Sequence, residues 1–214
     1  DGTVLEVMGE RRAVLLFATA AMVHGDDGNH VLDMAGADLE RLLSGRAPLL
    51  ADHAAYLSGV IGVIESAWVK GDCAYALARF ARTATAEDAW RQVQDGIARS
   101  VSLAFTYCRT DAEPLEGTAA RIIRRWIPHE ISLVAVPRDW QARVLPEDEM
   151  WPAWQAGQAA VRAYRARSAR MTVAEAFARD AAPALAGKLG VASETVEAEL
   201  LSAARCFAAR REKG

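Results

Sequence analysis

Residues 95–105 read DGIARSVSLAF, and this stretch decides the fold. A helix-like segment ends at Gly96, and an apolar, strand-like run follows in which Ser100 and Ser102 alternate with larger side chains. Because successive side chains of a strand point to opposite faces, both serines fall on one face and the apolar residues on the other. We therefore predict a β-strand whose serine face lines a cleft. Either its hydroxyls bond nearby backbone, or one of them is a nucleophile that needs a base elsewhere.

Further strands are predicted on both sides of this stretch from β-branched residues and turn punctuation. Residues 35–45 and 85–96 predict two helices, with Thr85 as the N-cap of the second and Asp88 in its first turn. Many strands with two interspersed helices favour the α+β class, a mostly antiparallel barrel or sandwich with helices packed outside. The predicted strands are Thr3–Met8, Ala13–Thr19, Pro48–Leu50, Gly59–Val69, Cys73–Phe80, Val101–Tyr107, Ala120–Ile127 and Glu130–Val136.

The composition changes near RVLPEDEMWP, after which the chain is rich in Ala and Arg. This change predicts a division into residues 1–146 and an α-helical segment, residues 147–214. Thr172 and Glu175 form a capping box before one helix, and a last helix is expected from about Glu194 to Arg210.

Composition sets limits on the function. With 214 residues and a formal net charge of -3, the chain as a whole gives no reason to expect strong nucleic-acid or membrane-surface binding. No apolar run reaches the length of a membrane span. The start lacks an initiator Met and the features of a signal peptide, which indicates a trimmed or processed fragment. Cys73, Cys108 and Cys206 form no C-x-x-C pair, which argues for a reducing compartment and against a disulfide framework or zinc knuckle.

The chain has four histidines, and three of them lie within the first 53 residues. His24 and His30 flank a turn with Asp26 and Asp27, but a six-residue separation in a flexible turn fixes no metal geometry, so a solvated hairpin loop is the better interpretation. His53 directly follows an apolar strand, which places it at a strand end either as a surface histidine or as a base.

The fourth histidine, His129, and Glu130 precede the apolar run ISLVAVP. Their side chains should point to opposite faces, so only one of them easily joins a given site. Glu130 shares its face with Ser132, and a buried carboxylate there needs a partner. The alternative is an exposed charge at the strand end.

Three segments in this order resemble the caudovirus prohead serine proteases, the capsid maturation proteases of tailed phages. They read PLLADHAAYLSGVIGVIESAWV, AEDAWRQVQDGIARSVSLAF and HEISLVAVPRDWQARV, and the resemblance spans residues 3–146. It implies a fold like that of the distantly related herpesvirus assemblins. It also implies His53 as base, Ser102 as nucleophile and Glu130 as third member, while the His–Ser–His order of assemblins leaves His129 as the alternative.

Two departures from the family pattern bear on the site. Ala104 stands where a glycine is usual, which adds a methyl group beside the expected nucleophile. Residues 138–144, RDWQARV, replace the small residues expected after the last strand.

The implied activity is peptide hydrolysis by acyl transfer, which needs no cofactor and no metal. The implied setting is an assembling procapsid in the host cytoplasm, with the major capsid protein and scaffold as substrates. The resemblance also implies self-association and self-cleavage of the chain. An oxyanion donor is also required, and Arg99, Arg124 and Arg125 are candidates that the sequence does not separate.

Two rival hypotheses remain. Residues 185–201 resemble a helix-turn-helix, with Ala186, Gly190 and Val196 at suitable spacings. Its second helix carries acidic residues that would face phosphates unfavourably, and basic residues cluster upstream. The acidic residues are Glu194, Glu197 and Glu199, and the basic ones Arg162, Arg165, Arg167 and Arg170. The helical segment is otherwise a tether to scaffold or capsid protein, or a link to a downstream capsid protein in a fusion. The second rival is a catalytically inactive relative that acts as an assembly factor.

Overall fold

The computed structural model describes residues 11–25, 28–168 and 173–201. Eleven strands are numbered in chain order. They are β1 Arg12–Thr19, β2 Val23–Gly25, β3 Gly28–Leu32, β4 Pro48–Ala51, β5 Val60–Lys70, β6 Cys73–Phe80, β7 Ser100–Thr106, β8 Ala112–Pro114, β9 Arg121–Ile123, β10 Ile127–Val134 and β11 Arg143–Val144.

Seven strands close into a barrel in the order β1-β11-β7-β10-β4-β5-β6. All neighbours are antiparallel except β4 and β10, which run parallel. Large apolar side chains fill the interior, and Phe17, Leu49, Ile61 and Ile131 are fully buried. The α+β class with a mostly antiparallel barrel is thereby confirmed.

The other four strands form a small sheet in the order β2-β3-β9-β8. Trp126 is fully buried where the chain passes from this sheet into β10, and its indole nitrogen donates to the carbonyl of Asp33 at 2.8 Å. The Trp126 ring packs edge-on against Phe17 of the barrel, with ring centroids 6.5 Å apart. The small sheet is therefore anchored to the barrel through Trp126.

The helices labelled among the described residues are α1 Glu40–Leu43, α2 Ala84–Gln94, α3 Glu147–Ser168 and α4 Val173–Leu189, and they lie outside the barrel. Residues 193–201 are also helical. Single 3-10 turns occupy Met34–Gly36, Leu57–Gly59 and Arg109–Asp111. In the part of the chain described above, no helix is both long and apolar enough to cross a bilayer.

The strand expected over Ala120–Ile127 is wrong as a single element. The chain pairs with the small sheet only as far as Ile123 and joins the barrel from Ile127. Between them, Arg124 and Arg125 form ion pairs with Asp33 and Asp38 at 3.2 and 3.6 Å. The two ends of the predicted strand therefore belong to two different sheets.

Both predicted helices of the barrel region need correction. Residues 35–45 form only a 3-10 turn and the four-residue α1, because Ala37 is extended and bridges to Trp126. The second helix begins at Ala84, and its N-cap is Thr83 rather than Thr85, with the Thr83 hydroxyl accepting from the Ala86 amide at 3.4 Å.

Some predictions fall on residues outside the described ranges. These are the strand Thr3–Met8, the capping residue Thr172, and the last helix beyond residue 201. Gly190 has a positive φ of 68° after the end of α4, as expected of a helix stop.

The C-terminal helices pack on the barrel region. Ala182, Ala186 and Val196 are buried with Cys108 in one apolar cluster. The Ser193 hydroxyl donates to the Asp111 carboxylate at 3.0 Å in a buried bond. Arg125 pairs with Glu197 at 2.7 Å, so this acidic residue of the helix-turn-helix-like segment faces the protein.

Gly157 permits the close approach of α3 to the barrel. A Cβ at this position would lie 2.3 Å from the indole ring of Trp68. We expect Gly157→Ala to lower the free energy of unfolding by about 1–3 kcal/mol, because the buried ring has little room to move. Chemical denaturation measures this change. Gly187→Ala is the matched control, since a Cβ there meets nothing within 4 Å, and a loss of stability equal to that of Gly157→Ala would contradict the account.

Candidate functional site

His53 lies in a tight turn at the end of β4. Asp52 and His53 both have positive φ, 48° and 56°, a conformation that residues with a Cβ adopt at a cost. Hydrogen bonds from three successive amides hold the turn. Asp52 N donates to Leu133 O at 2.9 Å, His53 N to the Ser132 hydroxyl at 3.1 Å, and Ala54 N to Ala51 O at 2.9 Å. The parallel pairing of β4 with β10 thus places His53 beside the strand that carries Glu130.

Glu130 binds the His53 ring directly. His53 Nδ1 and Glu130 Oε1 are 2.7 Å apart. The Glu130 side chain is 10 % exposed and the His53 side chain 42 %, so the carboxylate lies inside and the ring extends towards solvent. Because an ionised carboxylate only accepts hydrogen bonds, this contact assigns the proton to Nδ1 and leaves Nε2 able to accept one.

Ser132 completes the support of this pair. Its hydroxyl donates to Glu130 Oε2 at 2.6 Å, and the residue is fully buried. Ser132 was predicted to share a face with Glu130, but no role was predicted for it. The position of Ser132 on the same strand face as Glu130 was the sequence feature that could have indicated its role.

Ser102 lies on β7, directly opposite Ser132 of β10. It is buried apart from the surface it presents to a cavity that His53 also lines. Among the described residues, no hydrogen bond joins the Ser102 hydroxyl to His53. Catalytic hydrogen bonds often tighten only when substrate is bound, so a nucleophile and a base that share a cavity need not be bonded in the free protein. Ser100, at the start of β7, pairs with Val134 and does not line the cavity.

The cavity has a volume of about 360 Å³. One side of it is apolar and includes Phe17, Leu32 and Phe105. Ala104 also lines it, so the methyl group expected from the sequence borders the space next to Ser102. A pocket with apolar walls and a few convergent polar groups is the usual form of a small-molecule or peptide site.

The polar side of the cavity includes Arg138 and Asp139, from the segment where small residues were expected. Asp139 is buried and accepts from the amide and hydroxyl of Thr19 at 2.8 and 2.7 Å. The carboxylate therefore fixes this segment to the end of β1, whereas the next residue, Trp140, is 80 % exposed. No role was predicted for Arg138 or Asp139 from the sequence.

His129 lies away from the cavity. It lines a separate groove of about 770 Å³ together with Arg41, and its carbonyl accepts from Arg41 Nε at 3.0 Å. Burial lowers the pKa of His129, and the positive charge of Arg41 lowers it further, against an opposing effect of Glu130. The structure thus brings His53, Glu130 and Ser102 to one region, and His129 to another.

The lowered pKa of His129 makes a prediction for stability. In the pH range between the lowered pKa and the ordinary value of 6.5, the unfolded chain binds more protons at this site than the folded protein does. Stability should therefore rise with pH through this range, and His129→Gln should flatten that part of the curve. Urea unfolding between about pH 5 and pH 7.5 tests it. An unchanged or steeper slope in the variant would contradict the assignment.

The remaining candidates are engaged elsewhere. Arg124 pairs with Glu113 at 2.9 Å, Arg125 with Glu197, and Arg99 Nε donates to the carbonyl of Gly96 at 2.6 Å. None of these three arginines lines the cavity that holds Ser102.

Of the two histidines of the β2–β3 hairpin, His24 contacts its own hairpin, whereas His30 contacts β7 and lines the cavity that holds Ser102. His24 bonds Asn29 at 2.6 Å, and the His30 ring packs edge-on against Phe105 with centroids 5.7 Å apart. Asp26 and Asp27 lie outside the described residues. Within the described ranges, no group of three or more His, Cys, Asp or Glu side chains is arranged to hold a metal ion. Cys73 and Cys108 are free thiols.

Comparison with known proteins gives two similarities. Over 117 residues, the chain is 40% identical to the major capsid protein of Halomonas phage phiHAP-1, a match that covers 52% of this chain. The chain spans 19% of the length of that relative. In fold, the chain is similar to the capsid assembly protease of bacteriophage T4, with a TM-score of 0.46, 15% identity, and coverage of 59% of this chain and 82% of that one. No family model matches the chain.

Proposed function

We propose that the chain is a serine endopeptidase that cleaves peptide extensions during assembly of a tailed-phage capsid. The observation that carries the proposal is that His53, which is bonded to Glu130, lines the same cavity as Ser102. Three residue types that serve as base, orienting acid and nucleophile come from three separate strands or strand ends. The same combination defines serine hydrolases on unrelated folds.

The proposed mechanism assigns one role to each of the three side chains. Ser102 Oγ attacks a peptide carbonyl while His53 Nε2 takes the hydroxyl proton, and the protonated ring then gives that proton to the leaving amine. Water hydrolyses the resulting acyl-enzyme with His53 again acting as base. Glu130 holds the ring tautomer and stabilises the imidazolium that forms in both steps.

Similarity to a phage major capsid protein supports the capsid setting, in the assembling procapsid within the host cytoplasm. In this proposal the substrates are scaffold or capsid-protein extensions and the chain itself. In the same proposal, residues 1–146 are the protease domain and residues 147–214 are a tether, which is helical over residues 147–168, 173–189 and 193–201. The contacts of Ser193 with Asp111 and of Glu197 with Arg125 support a tether docked on the protease rather than a DNA reader.

An inactive assembly factor is the second candidate. The methyl group of Ala104 favours it, since it adds bulk to the wall of the cavity that Ser102 lines. This candidate keeps the same fold and the same capsid partner but cleaves no peptide bond.

Intact-mass spectrometry after co-expression with the major capsid protein that this proposal makes its substrate separates the two candidates. A protease yields truncated masses of the capsid protein or of the chain, whose ends identify the cleavage sites. Full-length masses of both proteins in a folded complex would support the assembly factor and overturn the protease proposal.

A further inference from the structure

We infer that Ser132 is a positioning residue, which holds His53 and Glu130 in the arrangement that cleavage requires. The kinetic consequence rests on the proposed function. The geometric part concerns a hydrogen-bond network that exists whether or not the chain cleaves peptides.

The network begins and ends at His53. The His53 amide donates to the Ser132 hydroxyl at 3.1 Å, and that hydroxyl donates to Glu130 Oε2 at 2.6 Å. The other carboxylate oxygen, Oε1, bonds His53 Nδ1 at 2.7 Å. A hydroxyl has one proton to donate, and here it is committed to the carboxylate, while one of its lone pairs accepts from the amide. The three bonds therefore fix the His53 backbone, the Glu130 carboxylate and the His53 ring relative to one another.

The turn at His53 gives this network its importance. Asp52 and His53 both have left-handed φ, but their amides are held differently. Asp52 donates to the backbone carbonyl of Leu133, which any residue at that position supplies. His53 donates to a side chain, so its strained conformation depends on the hydroxyl of Ser132.

The hydroxyl is not needed to hold β10 in the barrel. Ser132 pairs with Leu50 of β4 on one side and with Ser102 of β7 on the other. These pairings place its backbone in the sheet on both sides. Removal of the hydroxyl should therefore leave the barrel intact while loosening the turn and the carboxylate.

The test compares Ser132→Ala with Ser132→Thr, which keeps the hydroxyl, and with Ser66→Ala as the matched control. Ser66 is a buried strand serine on β5 that does not line the cavity. Two properties are measured: cleavage kinetics, and the downfield proton NMR signal of His53 Nδ1–H, assigned by its loss in His53→Gln. Thermal melting of each variant checks that it is folded.

In Ser132→Ala we expect the NMR signal to be lost or broadened and kcat to fall about tenfold to a hundredfold with little change in KM, as for loss of a hydrogen bond to a charged group. Ser132→Thr should recover part of both properties, and Ser66→Ala should match the wild type. If Ser132→Thr does not fold, the comparison of the two alanine variants decides.

An unchanged NMR signal in folded Ser132→Ala overturns the inference, whatever its kinetics. Loss of the signal in Ser132→Ala, in a protein whose wild type cleaves nothing, sustains the positioning role and overturns the protease proposal instead. The two failures are thus distinguishable.

Discussion

Replacing Ser102 with alanine should lower the rate of peptide-bond cleavage by at least about a thousandfold, because no acyl-enzyme forms without the hydroxyl. The loss should appear in kcat, since the variant keeps the cavity and the His53–Glu130 pair. Cleavage of the capsid protein, followed by intact mass over time, measures the effect.

Ser100→Ala is the matched control for this experiment. Ser100 lies on the same strand, two residues before Ser102, but does not line the cavity. Its replacement should change the rate by no more than about twofold. A large loss in Ser100→Ala with normal cleavage by Ser102→Ala would show that the wrong serine has been assigned.

Glu130→Gln should lower kcat by about ten thousandfold, the loss seen when the acid of a serine-protease triad becomes an amide. The amide of glutamine can donate to His53 Nδ1, and this favours the wrong ring tautomer. Because the amide is uncharged, it also no longer stabilises the imidazolium. His129→Gln should leave kcat within about twofold of the wild type, because His129 lies in the other groove.

The comparison of these two variants decides between the two possible third members. Both are made at neighbouring positions of β10 with the same new side chain, so general effects of an amide on this strand are matched. A large loss in His129→Gln with near-normal cleavage by Glu130→Gln would contradict the account and favour the His–Ser–His arrangement.

Much of the barrel could be predicted because alternation and turn residues are local signals. The strand over Cys73–Phe80 agrees with its predicted bounds, and Ala13–Thr19 differs from β1 by one residue. The closure of these strands into a barrel could not be predicted from local signals. No local pattern shows that β4 pairs in parallel with β10, a contact between segments about eighty residues apart in sequence.

The site shows the same division between local and long-range information. Parity placed Glu130 and Ser132 on one face and His129 on the other, which agrees with the hydrogen bonds of the structure. The left-handed turn at His53 could not be predicted, because neither Asp52 nor His53 is a glycine and tertiary bonds impose the conformation. The role of Ser132 could be predicted only in part: parity placed it beside Glu130, but the amide from which it accepts belongs to the turn after β4.

Covalent labelling with a fluorophosphonate tests the central claim most directly. Such a reagent modifies a serine only where a base and an oxyanion site activate it, so it reports the nucleophile without knowledge of the substrate. Wild-type protein and Ser102→Ala are treated at neutral pH, and the modified peptide is identified by mass spectrometry. The account predicts one phosphonyl group on Ser102 of the wild type and none on Ser102→Ala. No modification of the folded wild type, or modification of another serine in both proteins, would contradict it.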